Sequence, residues 1–209
     1  MSKDSLIVGV TGVFFGVLVG WIIGSQQGAA RAPQAPAAAA SSSAASSSAS
    51  GGQQQPPPLD ETRAASLRTA AQQNASDAQS RVELGNMYFD AGRFPDAVDW
   101  YQQALKIQPK NVNVSTDLGI AYYYQNDADK ALAQFDTSLA IDPAHAKTLL
   151  NIGIVRAFGK QDLKGAAEVW QKILVVAPTS EEAKAARQAL DGIRSAHPEL
   201  GIAKPQGSS

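Results

Sequence analysis

His145 and His197 are the only histidines in a chain of 209 residues that contains no cysteine. Metal binding on a helix needs ligands at i+3 or i+4, and nucleophilic catalysis needs a base beside a hydroxyl or thiolate. Neither histidine has a ligand-type residue at i+3 or i+4, and the missing cysteine removes a disulfide framework, a thiol nucleophile and thiolate ligands. No Gly-x-Ser-x-Gly elbow and no phosphate-cradling glycine loop is present. Asp96, Asp99, Asp127 and Asp129 stand at predicted helix starts, where the helix dipole accounts for carboxylates without any catalytic pairing. The expectation is a protein with no catalytic residue, no metal site and no cofactor. With 18 Lys+Arg dispersed among 19 Asp+Glu and a net charge of −1, nothing follows a phosphate backbone, so nucleic acid is not the expected ligand either. Recognition of another protein is what remains.

The elements that must position such recognition repeat along the chain. Leu84-Gly85-Asn86-Met87-Tyr88, with Ala97, Tyr101, Ala104 and Pro109, returns as Leu118-Gly119-Ile120-Ala121-Tyr122, with Ala131, Phe135, Ser138 and Pro143, 34 positions later. In a third copy Ile152 and Gly153 keep the step of 34, whereas Ala166, Trp170, Ile173 and Pro178 lie 35 beyond their counterparts. One residue is therefore inserted between Gly153 and Ala166. The pattern resembles the tetratricopeptide repeat, a helix-turn-helix unit with a Leu-Gly-x-x-Tyr, Ala-x-x-x-Phe and Pro signature. The resemblance covers about Ala78 to Ser180. Arg81 and Ser115 depart from it where a large apolar residue is usual, and Arg156 where the other copies have tyrosine.

The fold implied is all-α: a solenoid of helical hairpins over 78–111, 112–145 and 146–180. A capping helix or half-repeat over 59–77 precedes it, and a capping helix over 181–196 and a loose tail over 197–209 follow. The first hairpin helix is expected from about Asp77 to Asp90 with Gly92 left-handed after it, and the second from about Pro95. Asn126 and Asp127 take the turn and cap roles in the second copy. Gly159 and Asp162 are expected to take them in the third, where the insertion would lengthen the turn. Thr179-x-x-Glu182 reads as a capping box, and Ala183, Ala186, Leu190 and Ile193 as a buried stripe. Gly85, Gly119 and Gly153 mark the expected close approach of paired helices.

The resemblance further implies that the first helix of each unit lines a concave groove. Its groove positions here are Val82, Asn86, Phe89 and Asp90; Thr116, Ile120, Tyr123 and Tyr124; Lys147, Leu150, Ile154 and Phe158. Solvent-facing Phe89, Ile120, Tyr123, Leu150, Ile154 and Phe158 would form an apolar interaction surface, suited to an amphipathic helix or an extended apolar segment. Chaperone-binding members of the family clamp a C-terminal carboxylate. Asn86 and Lys147 match that clamp, but Val82, Asp117 and Asn151 fill its other positions, and Asp117 would repel an acidic tail.

Before the repeats, Leu6–Ile23 is an uncharged apolar run long enough to span a bilayer, about 27 Å as a helix. A cleaved secretory signal is the competing reading, but its apolar core is usually shorter. The segment 1–24 is read as a retained single-pass anchor. Its flanking charges favour the N-terminus inside, which in a Gram-negative-type bacterium puts the repeats in the periplasm. Gly12, Gly16, Gly20 and Gly24 form a small-residue ridge fit for helix pairing, hence a possible homodimer. Residues 25–58, rich in Ala, Ser, Gln and Pro, are expected to be a disordered tether. The whole reads as a membrane-tethered scaffold for assembly of an envelope complex. The alternative is a self-assembling spacer that dimerises through the glycine ridge.

Overall fold

The computed structural model describes residues 56–203, and every regular element among them is helical. The apolar run with its four glycines, residues 25–55 of the expected tether and the last six residues lie outside the described residues. No described helix is long and apolar enough to cross a membrane.

The helices are α1 (Glu61–Gln73), α2 (Ala78–Asp90), α3 (Phe94–Ile107), α4 (Val112–Tyr124), α5 (Ala128–Ile141), α6 (Ala146–Ile154), α7 (Leu163–Val176) and α8 (Glu181–Ala196). They pack as antiparallel hairpins, α2 with α3, α4 with α5 and α6 with α7, flanked by α1 and α8. Capping side chains decide where most helices begin. Asp60, Asp77, Asn111, Asp127 and Asp162 each accept a backbone N–H three residues on, at 2.8–3.2 Å, a contribution of about 1 kcal/mol apiece. Ser180, not the expected Thr179, caps α8 by accepting from the Ala183 N–H at 3.1 Å.

Each hairpin closes over a glycine. A Cβ built at Gly85 would fall on the ring of Tyr101, at Gly119 on Phe135 and at Gly153 on the Trp170 indole. Ala97, Ala131 and Ala166 are fully buried. Leu84, Tyr88, Tyr101, Val114 and Leu118 form one core cluster, and Ile120, Phe135, Ile152 and Val155 the next.

The inserted residue is found inside a helix rather than in a turn. Val155–Gly159 continues α6 as a single π-helical turn. The Arg93 N–H donates to Tyr88 O and the Asp127 N–H to Tyr122 O, five residues back, whereas the Asp162 N–H donates to Arg156 O, six back. The left-handed turn residues are Gly92 (φ 72°), Asn126 (φ 62°) and Gln161 (φ 56°). Gln161 thus takes the role expected of Gly159, because the π-turn carries the extra residue before the interhelical turn begins.

The departures from the repeat signature acquire causes here. The Arg81 guanidinium donates to Ala71 O at 2.9 Å and Asn74 O at 3.3 Å, closing open carbonyls at the end of α1, and to Asp77 O at 2.5 Å. Ser115 Oγ accepts from Gln134 at 2.7 Å and Ser138 at 2.8 Å, a buried polar patch in place of a large ring. Arg156 pairs with Asp162 at 3.5 Å, over the π-turn. The tail, expected to be loose, is held as far as Ala203: a 3₁₀ turn spans Pro198–Leu200, and Ala203 O accepts from Gln171 and Arg194, each at 3.4 Å.

A non-glycine residue pays for left-handed backbone, so Gln161→Gly is expected to stabilise the array by about 1 kcal/mol. Urea unfolding of the full chain checks this; a loss of stability would return the turn to Gly159.

Candidate protein-interaction surface

Stacking of the hairpins sets α2, α4 and α6 side by side. The Phe89 ring meets Tyr124 edge to face at a centroid distance of 5.3 Å, and Phe94, opening α3, stacks on Tyr124 at 4.9 Å. Tyr123 lies 6.1 Å from Tyr124. Between α4 and α6 polar contacts flank the apolar cluster of Ile120, Ile152 and Val155. Thr116 and Thr148 hydroxyls bond at 2.7 Å, Lys147 Nζ donates to Asp117 at 2.7 Å, and His145 bridges Thr148 Oγ1 (2.7 Å) and Asn113 Oδ1 (3.1 Å). Burial lowers the His145 pKa, which favours its neutral form.

The expected groove residues separate under this packing. Asn86 and Asp90 are exposed, and Val82, Phe89, Tyr123, Tyr124, Lys147 and Phe158 are half-buried. Thr116, Ile120, Leu150 and Ile154 are buried, at 0%, 5%, 2% and 3% exposure, which corrects the expectation that the three apolar ones face solvent. Ile120 joins Phe135, Ile152 and Val155 in a core cluster, and the Thr116 hydroxyl is paired with Thr148. Of the expected groove residues, those that stay at least partly open are Val82 and a set of aromatic and polar side chains.

Around it the electrostatics are uneven. Tyr101, pressed over Gly85, donates its hydroxyl to Asn86 Oδ1 at 2.8 Å. Burial drives the Tyr101 pKa well above the ordinary phenol value, and Asp117 and Asp90 raise it further. Burial also pushes Tyr124 up to about 12. Asp117 is neutralised by Lys147, but Asp90 makes no hydrogen bond or ion pair among the described residues. Asp90 is exposed as a residue, yet desolvation by the surrounding array still raises its carboxyl pKa. The clamp-like positions are occupied internally: Asn86 by Tyr101, Lys147 by Asp117, and buried Asn151 by Lys147 O at 2.8 Å.

Two family models match in overlapping spans, one described as TPR repeat over residues 85–125 and one as tetratricopeptide repeat over 116–183. The chain is a tetratricopeptide repeat protein. Mouse tetratricopeptide repeat protein 14 is 31% identical over 133 residues, 61% of this chain and 17% of that protein. The cytochrome c-type biogenesis protein CycH of Pseudomonas aeruginosa is 30% identical over 133 residues, 61% of this chain and 32% of that protein. The first repeat domain of Spaghetti (RPAP3), solved bound to an HSP90 peptide, superposes with a TM-score of 0.51 at 23% identity, over 61% of this chain and 96% of that one. The chain thus spans a third or less of these two curated relatives' length, and the structural likeness speaks for the fold alone.

Sequence reasoning assigned Tyr101 to the core and did not pair Asp117 with Lys147. Tyr101 is a core residue, as expected, whose hydroxyl holds the exposed Asn86, and the Asp117–Lys147 pair cancels charge between neighbouring helices.

A raised carboxyl pKa means that the ionised Asp90 opposes folding at neutral pH, a penalty that disappears once the group is protonated in both states, below its ordinary value of 3.8. Asp90→Asn is therefore expected to raise the thermal midpoint at pH 7, with the gain shrinking as pH falls towards 3.8. Melting curves of both proteins across that range measure it, and a lower midpoint at pH 7 would show that the carboxylate is satisfied in the fold.

Proposed function

We propose that this tetratricopeptide array is a non-catalytic protein-binding module that receives a segment of another protein on the face of α2, α4 and α6. A single observation carries the reading: Asn86, Phe89, Asp90, Tyr123 and Tyr124 keep accessible surface on one set of adjacent helices while Ile120, Leu150 and Ile154 are buried. Aromatic and amide side chains in such a place supply contact area and hydrogen bonds to a partner. The RPAP3 domain of the same fold was solved with an HSP90 peptide, which supports peptide binding by arrays of this kind. An acidic C-terminal tail is a poor ligand here, because Lys147 and Asn86 are both engaged and the unpaired Asp90 adds repulsion.

The finer part of the proposal is a tether. The apolar run Leu6–Ile23 would anchor the chain in a cytoplasmic membrane, with the array outside it serving assembly of an envelope complex. Similarity to a cytochrome c-type biogenesis protein of a bacterium supports that setting.

A photoactivatable residue at Tyr123 is expected to capture a discrete partner in cells, while one at exposed Lys172 on α7 does not. Equal capture from both positions would remove the face from consideration, and capture of the chain itself would favour self-assembly. The tether has its own test. A cysteine at Ser47, in a chain without any, should react with a membrane-impermeant maleimide from outside the cytoplasmic membrane, and protection of that cysteine would reverse the topology.

A further inference from the structure

We propose that the partner segment presents a lysine or arginine to this surface, its aliphatic stem lying on Phe89, Phe94 and Tyr124 and its cationic head set at Asp90. This rests on the reading of the α2–α4–α6 face as a protein-binding surface and specifies the chemistry that the face selects.

Asp90 occupies a position that folding alone disfavours. It is the last residue of α2, at the partially negative end of the helix dipole, where cations rather than carboxylates are stabilised. It has neither hydrogen bond nor ion pair among the described residues, although the other carboxylate facing Tyr101, Asp117, is matched by Lys147. Desolvation already raises its pKa. An incoming cation answers all three conditions at once: it compensates the charge, suits the dipole and replaces the lost hydration. The basic residues of the fold do not supply it, since Arg93 is held by Asp96 and Glu61, and Lys147 by Asp117.

The aromatic flank completes the match. Phe89 precedes Asp90 in the chain, Phe94 begins the next helix, and Tyr124 contacts both rings. All three are half-buried, so part of each remains open. Aromatic faces attract cations and also accept the methylene stem of a long basic side chain. An anionic segment would meet the unpaired carboxylate of Asp90 and a lysine already engaged by Asp117, so the same geometry discriminates against it.

The test is selection of a random 12-residue peptide library, displayed on phage, against the full chain in detergent micelles. Enriched peptides are expected to share a lysine or arginine flanked by apolar residues. For a synthetic peptide from that pool, replacing the shared lysine by norleucine should weaken binding about tenfold to the native chain and less than about twofold to Asp90→Asn. Enrichment without a basic residue, enrichment of acidic peptides, or an equal loss with both proteins overturns the proposed chemistry and leaves the binding surface standing. If nothing is enriched above a chain blocked by Asn86→Trp, the surface itself is refuted and the proposal with it. The melting midpoint of Asp90→Asn, at or above that of the native chain, confirms that a lost preference is not lost folding.

Discussion

The array depends on an aromatic ring lying across a bare Cα. Gly85 under Tyr101, Gly119 under Phe135 and Gly153 under Trp170 let paired helices approach to a distance that any side chain at the glycine would prevent. The ring positions are equivalent, but their polar ends are not. Tyr101 carries a hydroxyl through to Asn86, Phe135 carries nothing, and Trp170 donates its indole N–H to Leu150 O at 3.1 Å inside the core. The contact that builds every hairpin therefore delivers a polar group to the accessible face only in the first one.

The fold was legible because its determinants recur at a fixed step. Leucine, glycine, alanine and aromatic residues 34 apart specify how a helix packs on its own partner, and the structure uses them in that way. The surface was less legible because contacts between units join positions that are not equivalent. Thr116 meets Thr148 and Asn113 meets His145 across 32 residues, Asp117 meets Lys147 across 30, and Phe89 meets Tyr124 across 35. Stepping through the sequence at the repeat length passes over all of them. Ile120, Leu150 and Ile154 were read as open for the same reason: the repeat identifies the face they share, not the neighbour that covers it.

The third unit shows how an array absorbs an irregularity. An extra residue in the interhelical turn would alter how α6 enters α7, whereas a π-helical turn keeps the hairpin closure at the cost of one widened hydrogen-bond ring. Gln161 then enters the left-handed region without being glycine, and Arg156, standing at the tyrosine position, reaches Asp162. Signature and structure part company at this point because the backbone chose to conserve the turn.

The two joints between neighbouring units are made of different materials. The one around Phe89, Phe94 and Tyr124 is aromatic, and the one around Thr116, Asp117, Lys147 and Thr148 adds hydroxyls and an ion pair to the apolar contact of Ile120 with Ile152 and Val155. Apolar association weakens on cooling, while a partly exposed ion pair is screened by added salt. Cold should therefore weaken both joints, whereas added salt acts on the second, where the ion pair sits. Nearly identical units thus meet at seams that salt can tell apart, because the charge pair of Asp117 and Lys147 lies at the second of them.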